Sequence, residues 1–171
     1  ENNVPLGRGL PAGPGASFGS VVFSAEKAEA LGKKGKKVIL VREETSPEDI
    51  HGMHYSEGIL TSRGGLTSHA ALVARGWGKS CVVGCQTLVI NKKSAFAKLG
   101  NIKIKEGDFI TLNGSSGEIF LGRLKLFQNP INSSGPLNEL LSWADKIRKL
   151  KIRTNADTPE DCEKALSFGA E

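Results

Sequence analysis

The run Val38-Ile39-Leu40-Val41 is apolar at four successive positions. Alternate side chains of a strand point to opposite sides, so an unbroken run fits a strand covered on both faces. Lys33, Lys34, Lys36 and Lys37, with Gly32 and Gly35 among them, read as a solvated turn ahead of it. After it, Thr45-Ser46-Pro47-Glu48-Asp49 opens a helix, with a hydroxyl cap, proline in the first turn and carboxylates near the positive end. Ile59-Leu60, flanked by Gly58 and Thr61, is a second short buried strand, residues 66–76 read as a helix, and residues 81–83 read as a third strand. Buried strands alternating with helices place the chain in the α/β class.

The rest of the chain is less regular. Gly7 to Gly19 holds five glycines with Pro11 and Pro14 and reads as an incoming loop. Residues 16–24 read as a strand and residues 25–31 as a short helix. Residues 109–112 and 118–121 form a hairpin-like pair around the turn Gly114-Ser115-Ser116-Gly117. From Asn129 to Pro136 the composition shifts to Asn, Ser, Gly and Pro, a linker pattern. Positions 137, 140, 141, 144, 147 and 150 then repeat apolar residues at helical spacing. Residues 151–154 and 158–168 give one strand and one capped helix, and a lone strand–helix unit cannot bury its faces. This tail is therefore expected to open a larger domain and to be cleaved more readily than the central part.

Composition narrows the classes. With 171 residues, 39% hydrophobic and 24% charged, the chain can build one core. The net charge of +5 comes largely from clustered lysines, and one tyrosine with two tryptophans offers no aromatic platform for nucleic acid. No run approaches the roughly 20 apolar residues of a membrane helix. Three cysteines cannot form a disulfide framework, which suits a reducing compartment.

The stretch from Thr61 to Gly76 is the most unusual. Gly64 and Gly65 free the backbone just before a helix for which Thr67 could serve as cap. His69 then falls in the first turn, where backbone N–H groups are unpaired and anions are favoured. A neutral nucleophile and a stabilised anionic product want that one location, so His69 is either a phosphoryl acceptor or a packing histidine. Adjacent Ser68 does not make a hydrolase, because neighbours on a helix point about 100° apart and no G-x-S-x-G elbow exists. His51 and His54, three apart, could share a helix face around a metal, but no third ligand has fitting spacing. Cys81 and Cys85 lack C-x-x-C spacing and read as core thiols. There is no Walker loop or dinucleotide fingerprint.

Gly64-Gly65-Leu66-Thr67-Ser68-His69-Ala70-Ala71-Leu72-Val73-Ala74-Arg75-Gly76-Trp77-Gly78-Lys79 resembles the phosphohistidine signature of the pyruvate, phosphate dikinase family. Enzyme I of the sugar phosphotransferase system and phosphoenolpyruvate synthase share a looser form and stand as alternatives. A metal-binding or structural module remains the reading from another class. Residues 41–49 and 154–161 are similar to the same family, with Leu66 replacing a commoner methionine.

The resemblance implies an α/β swivelling domain of β/β/α type over 10–124, after an incoming linker at 1–9. A helical linker would occupy 125–150 and the first strand and helix of a (β/α)8 barrel 151–171. It implies that His69 carries a phosphoryl group between an ATP-grasp domain and a barrel that binds phosphoenolpyruvate and pyruvate. Arg63, Gly64, Gly65 and Ser68 would stabilise the phosphoryl group. Thr67 matches a threonine modified by a bifunctional regulatory kinase/phosphatase. Arg75, about 9 Å along the helix axis from His69 at 1.5 Å per residue, suits a structural or domain-docking role. Magnesium is expected for the whole enzyme, with no ligands in this chain. The enzyme is expected to be a homodimer in cytoplasm or plastid stroma, binding neither nucleic acid nor membrane.

Overall fold

The computed structural model describes residues 4–91, 95–126, 136–154, 156, 158–167 and 169–171. Four parallel strands form its centre: β3 (Ala16–Val22), β4 (Val38–Arg42), β5 (Gly58–Thr61) and β6 (Ser80–Val83), in that spatial order. Beyond β3 lie β10 (Phe109–Asn113), β11 (Glu118–Leu121) and β1 (Gly7–Arg8), each antiparallel to its neighbour. Beyond β6 lies β2 (Leu10–Gly13), also antiparallel. A separate antiparallel sheet is made of β7 (Leu88–Asn91), β8 (Phe96–Leu99) and β9 (Ile102–Lys105). The helices are α1 (Ala25–Gly32), α2 (Ile50–Tyr55) and α3 (His69–Gly76).

Strand β4 explains the layering. Ile39 and Val41 face a cluster with Leu60, Val82, Leu99, Ile104, Ile110 and Ile119, which fills the space between the two sheets. Val38 and Leu40 face a second cluster with Ile59, Met53, Ala28, Ala70, Ala71 and Ala74, which lies between sheet and helices. The architecture is thus sheet on sheet on helices, and β4 is the seam both cores share. All four of its apolar residues are at most 2% exposed. Full burial of one such side chain stabilises by about 1.5–3 kcal/mol, so neither face of β4 could turn to water cheaply. The alanine face of α3 lets that helix approach the sheet closely, with Ala70, Ala71 and Ala74 all buried.

Several expectations need correction. The glycine-rich stretch from Gly7 to Gly19 is not a loop: it contains β1, β2 and the first half of β3. Glycine and proline weaken strand propensity, but tertiary pairing overrides it. Gly7 sits opposite Ile119, and a bulge between Pro11 and Gly13 accommodates the proline on the edge strand β2. Residues 86–107, which gave no reading, supply the whole second sheet. The helix expected over 66–76 starts only at His69, because a turn closed by Ser68 N–H donating to Gly65 O (3.0 Å) occupies the preceding residues.

By contact pattern the chain divides after Leu126. The C-terminal unit contains α4 (Pro136–Ile147) and α5 (Pro159–Ser167). Leu140, Leu141, Trp143 and Ile147 of α4 are half or more exposed. Helix α4 stops at Ile147, not 150, and no strand forms at 151–154, where the backbone lies beside no other strand of the described residues. Thr158 caps α5, its Oγ1 accepting from Asp161 N–H at 3.2 Å. The linker residues 129–135, together with Asn155, Asp157 and Phe168, lie outside the described residues.

Candidate functional site

Two loops meet at the C-terminal ends of the parallel strands β4 and β5, the end where open α/β sheets bind ligands. The loop after β4 is held by Arg42 and Asp49. The Arg42 guanidinium lies 3.2 Å from Asp49 Oδ1 and donates to Phe23 O at 3.2 Å. Asp49, only 5% exposed, also accepts from Ser46 N–H at 3.0 Å. That bond belongs to a capping box in which Ser46 heads the short turn Pro47–Asp49 leading into α2. The loop after β5 is tied to the first: Arg63 N–H donates to Glu43 O at 2.8 Å and Ser62 N–H to Arg42 O at 3.2 Å.

Because Ser46 is the cap, Thr45 is left to do something else. Its Oγ1 lies 3.0 Å from His69 Nδ1. His69 is the first residue of α3 and, as a residue, partly exposed, with one ring nitrogen engaged by Thr45. The first peptide N–H groups of α3 have no acceptor within the helix and point toward the same end. Upstream, Gly64 adopts φ +100°, a left-handed conformation that L side chains rarely take. A Cβ there would also lie 3.0 Å from Ser68 Cβ, whereas a Cβ on Gly65 would meet open space. Of the two glycines, Gly64 is the one the turn requires.

The other expected residues fall as follows. Thr67 is exposed and does not cap the helix; Ser68 occupies the N-cap position. The Ser68 hydroxyl makes no cap hydrogen bond and is the buried side-chain polar atom left without a partner among the described residues. Arg63 is exposed in the loop before α3. Arg75 donates to Leu66 O (2.6 Å) and Ala12 O (3.3 Å), binding the glycine turn to β2. Sequence reasoning did not separate Thr45 from Ser46. Spacing could not decide, because Thr45 and Ser46 are each followed three residues later by a carboxylate, Glu48 and Asp49.

The remaining candidates are occupied by packing. Cys81 and Cys85 are fully buried. Burial pushes the Cys81 thiol up to about 12, outweighing the opposing pull of Arg75, and its Sγ lies 3.8 Å from Ala70 O beneath α3. His54 packs edge-on against Tyr55 and Trp77. Among the described residues no three His, Cys, Asp or Glu side chains gather as a metal site, so His51 and His54 find no third ligand there.

Residues 34–117 match the model of the PEP-utilising enzyme mobile domain. The chain is 54% identical over 166 residues to pyruvate, phosphate dikinase 2 of Zea mays, covering 97% of this chain and 19% of that protein. It is 53% identical to pyruvate, phosphate dikinase of Clostridium symbiosum over the same 97%, again 19% of that protein. It is likewise 53% identical to the chloroplastic pyruvate, phosphate dikinase 1 of Arabidopsis thaliana, of which it covers 17%. A solution structure of enzyme I is similar over 64% of this chain at 24% identity, covering 37% of that chain. Its TM-score of 0.35 is too low to bear on the fold. The chain thus spans about a fifth of the length of the relatives it matches. Matched by the mobile-domain model over residues 34–117 and sharing more than half its residues with these proteins, the chain belongs to the PEP-utilising enzyme family, of which it carries the mobile domain.

Proposed function

We propose that His69 accepts and delivers a phosphoryl group within a pyruvate, phosphate dikinase. In that reaction ATP, phosphate and pyruvate become AMP, pyrophosphate and phosphoenolpyruvate, reversibly. The observation that carries this reading is the Thr45 Oγ1–His69 Nδ1 contact at 3.0 Å on a partly exposed residue. With Nδ1–H donating to Thr45, the lone pair sits on Nε2. In the forming step Nε2 attacks phosphorus, an N–P bond forms, and the P–O bond to the leaving group breaks with its electron pair on oxygen. The ring gains positive charge as the bond forms, and Thr45 Oγ1, accepting from Nδ1–H, shares it.

The phosphoryl oxygens would take the free N–H groups at the head of α3, with Gly64 and Gly65 allowing close approach of the backbone. Arg63 is an exposed guanidinium suited to bidentate phosphate contact. The Ser68 hydroxyl, without a partner in the resting chain, is a further donor once the loop adjusts to a phosphorylated ring. Exposed Thr67 is the regulatory position: a phosphate there adds about −1.5 to −2 charge beside His69 and repels an incoming donor.

The domain would swivel between an ATP-grasp domain and a barrel of the same polypeptide, with residues 125–150 as linker and 151–171 opening the barrel. The enzyme would be a plastid or cytoplasmic homodimer whose magnesium is held by those other domains. The test uses the full-length enzyme containing this chain, incubated with phosphoenolpyruvate labelled in its phosphate. Acid-labile label is expected on His69 and absent from His69→Ala, with AMP and pyrophosphate made or consumed in turnover. Label retained by His69→Ala would overturn the assignment.

A further inference from the structure

We propose that the domain carries a second anion site, at the opposite end of β4 from His69, suited to a small organic phosphate. The site is a cavity of about 540 Å³ whose lining includes Lys36, Lys37, Arg123, Phe18, Phe109 and Leu31. That volume lies in the range of small-molecule sites, about 300–1,000 Å³. Lys36 and Lys37 immediately precede β4, whereas Thr45 and His69 meet beyond its far end. Five residues at about 3.3 Å each separate the two sites by roughly 15 Å, so occupancy of one leaves the other open.

Three cations line this cavity and no carboxylate does. The acids of the adjoining turn are engaged elsewhere. Glu106 pairs with Lys27 at 2.7 Å, and Asp108 accepts from Lys105 N–H at 2.7 Å. Two of the cations are held in place by aromatic rings: Lys37 Nζ stands 4.8 Å from the Phe18 centroid and Arg123 Cζ 3.6 Å from the Phe109 centroid. Such contacts restrain long side chains without neutralising them, so the ordering cost of gripping an anion falls. The register explains the arrangement. Phe109 lies opposite Ser20 and Phe18 opposite Thr111 in the antiparallel β3–β10 pair, so both rings share one face. Leu31, at the end of α1, adds an apolar wall. Charge for a phosphate beside apolar surface for its organic body is the chemistry of a phosphate ester; it is also more apolar surface than inorganic phosphate would need.

The test titrates the ¹⁵N-labelled 171-residue chain with phenyl phosphate, inorganic phosphate, benzyl alcohol and poly-glutamate. Phenyl phosphate should shift the amides of Ser20, Lys37, Gly107 and Arg123 saturably, and bind more tightly than inorganic phosphate, with benzyl alcohol silent. Lys36→Gln combined with Arg123→Gln should weaken it about tenfold or more, as loss of charge-assisted contacts predicts, while Arg123→Lys keeps most of the affinity. His69→Ala should bind as the parent does, which separates this site from the carrier reading. Non-saturating shifts, equal binding by the Gln variant, or shifts confined to the His69 loop would overturn the proposal. Tighter binding of poly-glutamate than of phenyl phosphate would replace it with an acidic protein partner.

Discussion

Replacing Thr45 by valine keeps the shape of the side chain and deletes the oxygen 3.0 Å from His69 Nδ1. A hydrogen bond between neutral groups contributes about 0.5–1.5 kcal/mol, and one to a charged group about 1.5–3 kcal/mol. Only the difference between resting ring and charged transition state affects the chemical step, because equal stabilisation of both cancels. That difference is about 1–2 kcal/mol, and at 1.36 kcal/mol per tenfold it predicts a loss of roughly 5–30-fold in the rate of phosphoryl uptake by His69. The assay is single-turnover labelling of the full-length enzyme with phosphoenolpyruvate, alongside ¹⁵N spectra reporting which ring nitrogen of His69 carries the proton. Thr45→Ser should restore most of the rate. A Thr45→Val rate within twofold of the parent, with the Nδ1–H form unchanged, would refute the role given to Thr45.

Asp49→Ala leaves Arg42 half-buried without its carboxylate and Ser46 N–H without its acceptor. It should cost about 1–3 kcal/mol in urea unfolding and speed hydrogen exchange at Ser46, and an unchanged midpoint would contradict the clamp. Hydrogen bonds from Ser116, then Arg8, hold the Glu118 carboxyl below its usual range. A lowered carboxylate value means stability present above the ordinary range near 4 and lost as the pH falls through the lowered value. Protection of the Leu6 and Gly9 amides, which bond to Ile119 and Gly117, should therefore fall on acidification when the rates are referred to intrinsic exchange at each pH, and Glu118→Gln should abolish that dependence. Of the three thiols, exposed Cys162 should react with iodoacetamide at pH 8 while buried Cys81 and Cys85 wait for unfolding. Equal rates for all three would show that the core beneath α3 is open.

Strands β4, β5 and β6 were legible because each holds a short apolar run bounded by turn residues, buried on both faces of the sheet. The site was legible as a histidine behind two glycines at a helix start. Its working geometry was not. Thr45 and Ser46 are equally good caps by type. The choice between them falls to the buried carboxylate of Asp49, which reaches back to Ser46 N–H only once Arg42 holds it. The edge strands were hidden for a similar reason. Gly7 to Gly13 has poor strand propensity, and only the unpaired edges of β11 and β6 make extension favourable there.

By itself the amino-acid order determined which segments must leave water and that His69 would fall in the first turn of a helix behind two glycines, though not the residue at which α3 begins. Those properties are local: they depend on side-chain periodicity, on glycine at a left-handed φ, and on small residues along one helix face. Tertiary structure alone decided that Thr45 meets His69 across 24 positions of chain and that a second sheet covers the far side of β4. It also decided that Lys36, Lys37 and Arg123 share a cavity. Contacts between distant segments depend on strand order and register, which are fixed by the joint burial of many apolar faces rather than by any one stretch of residues.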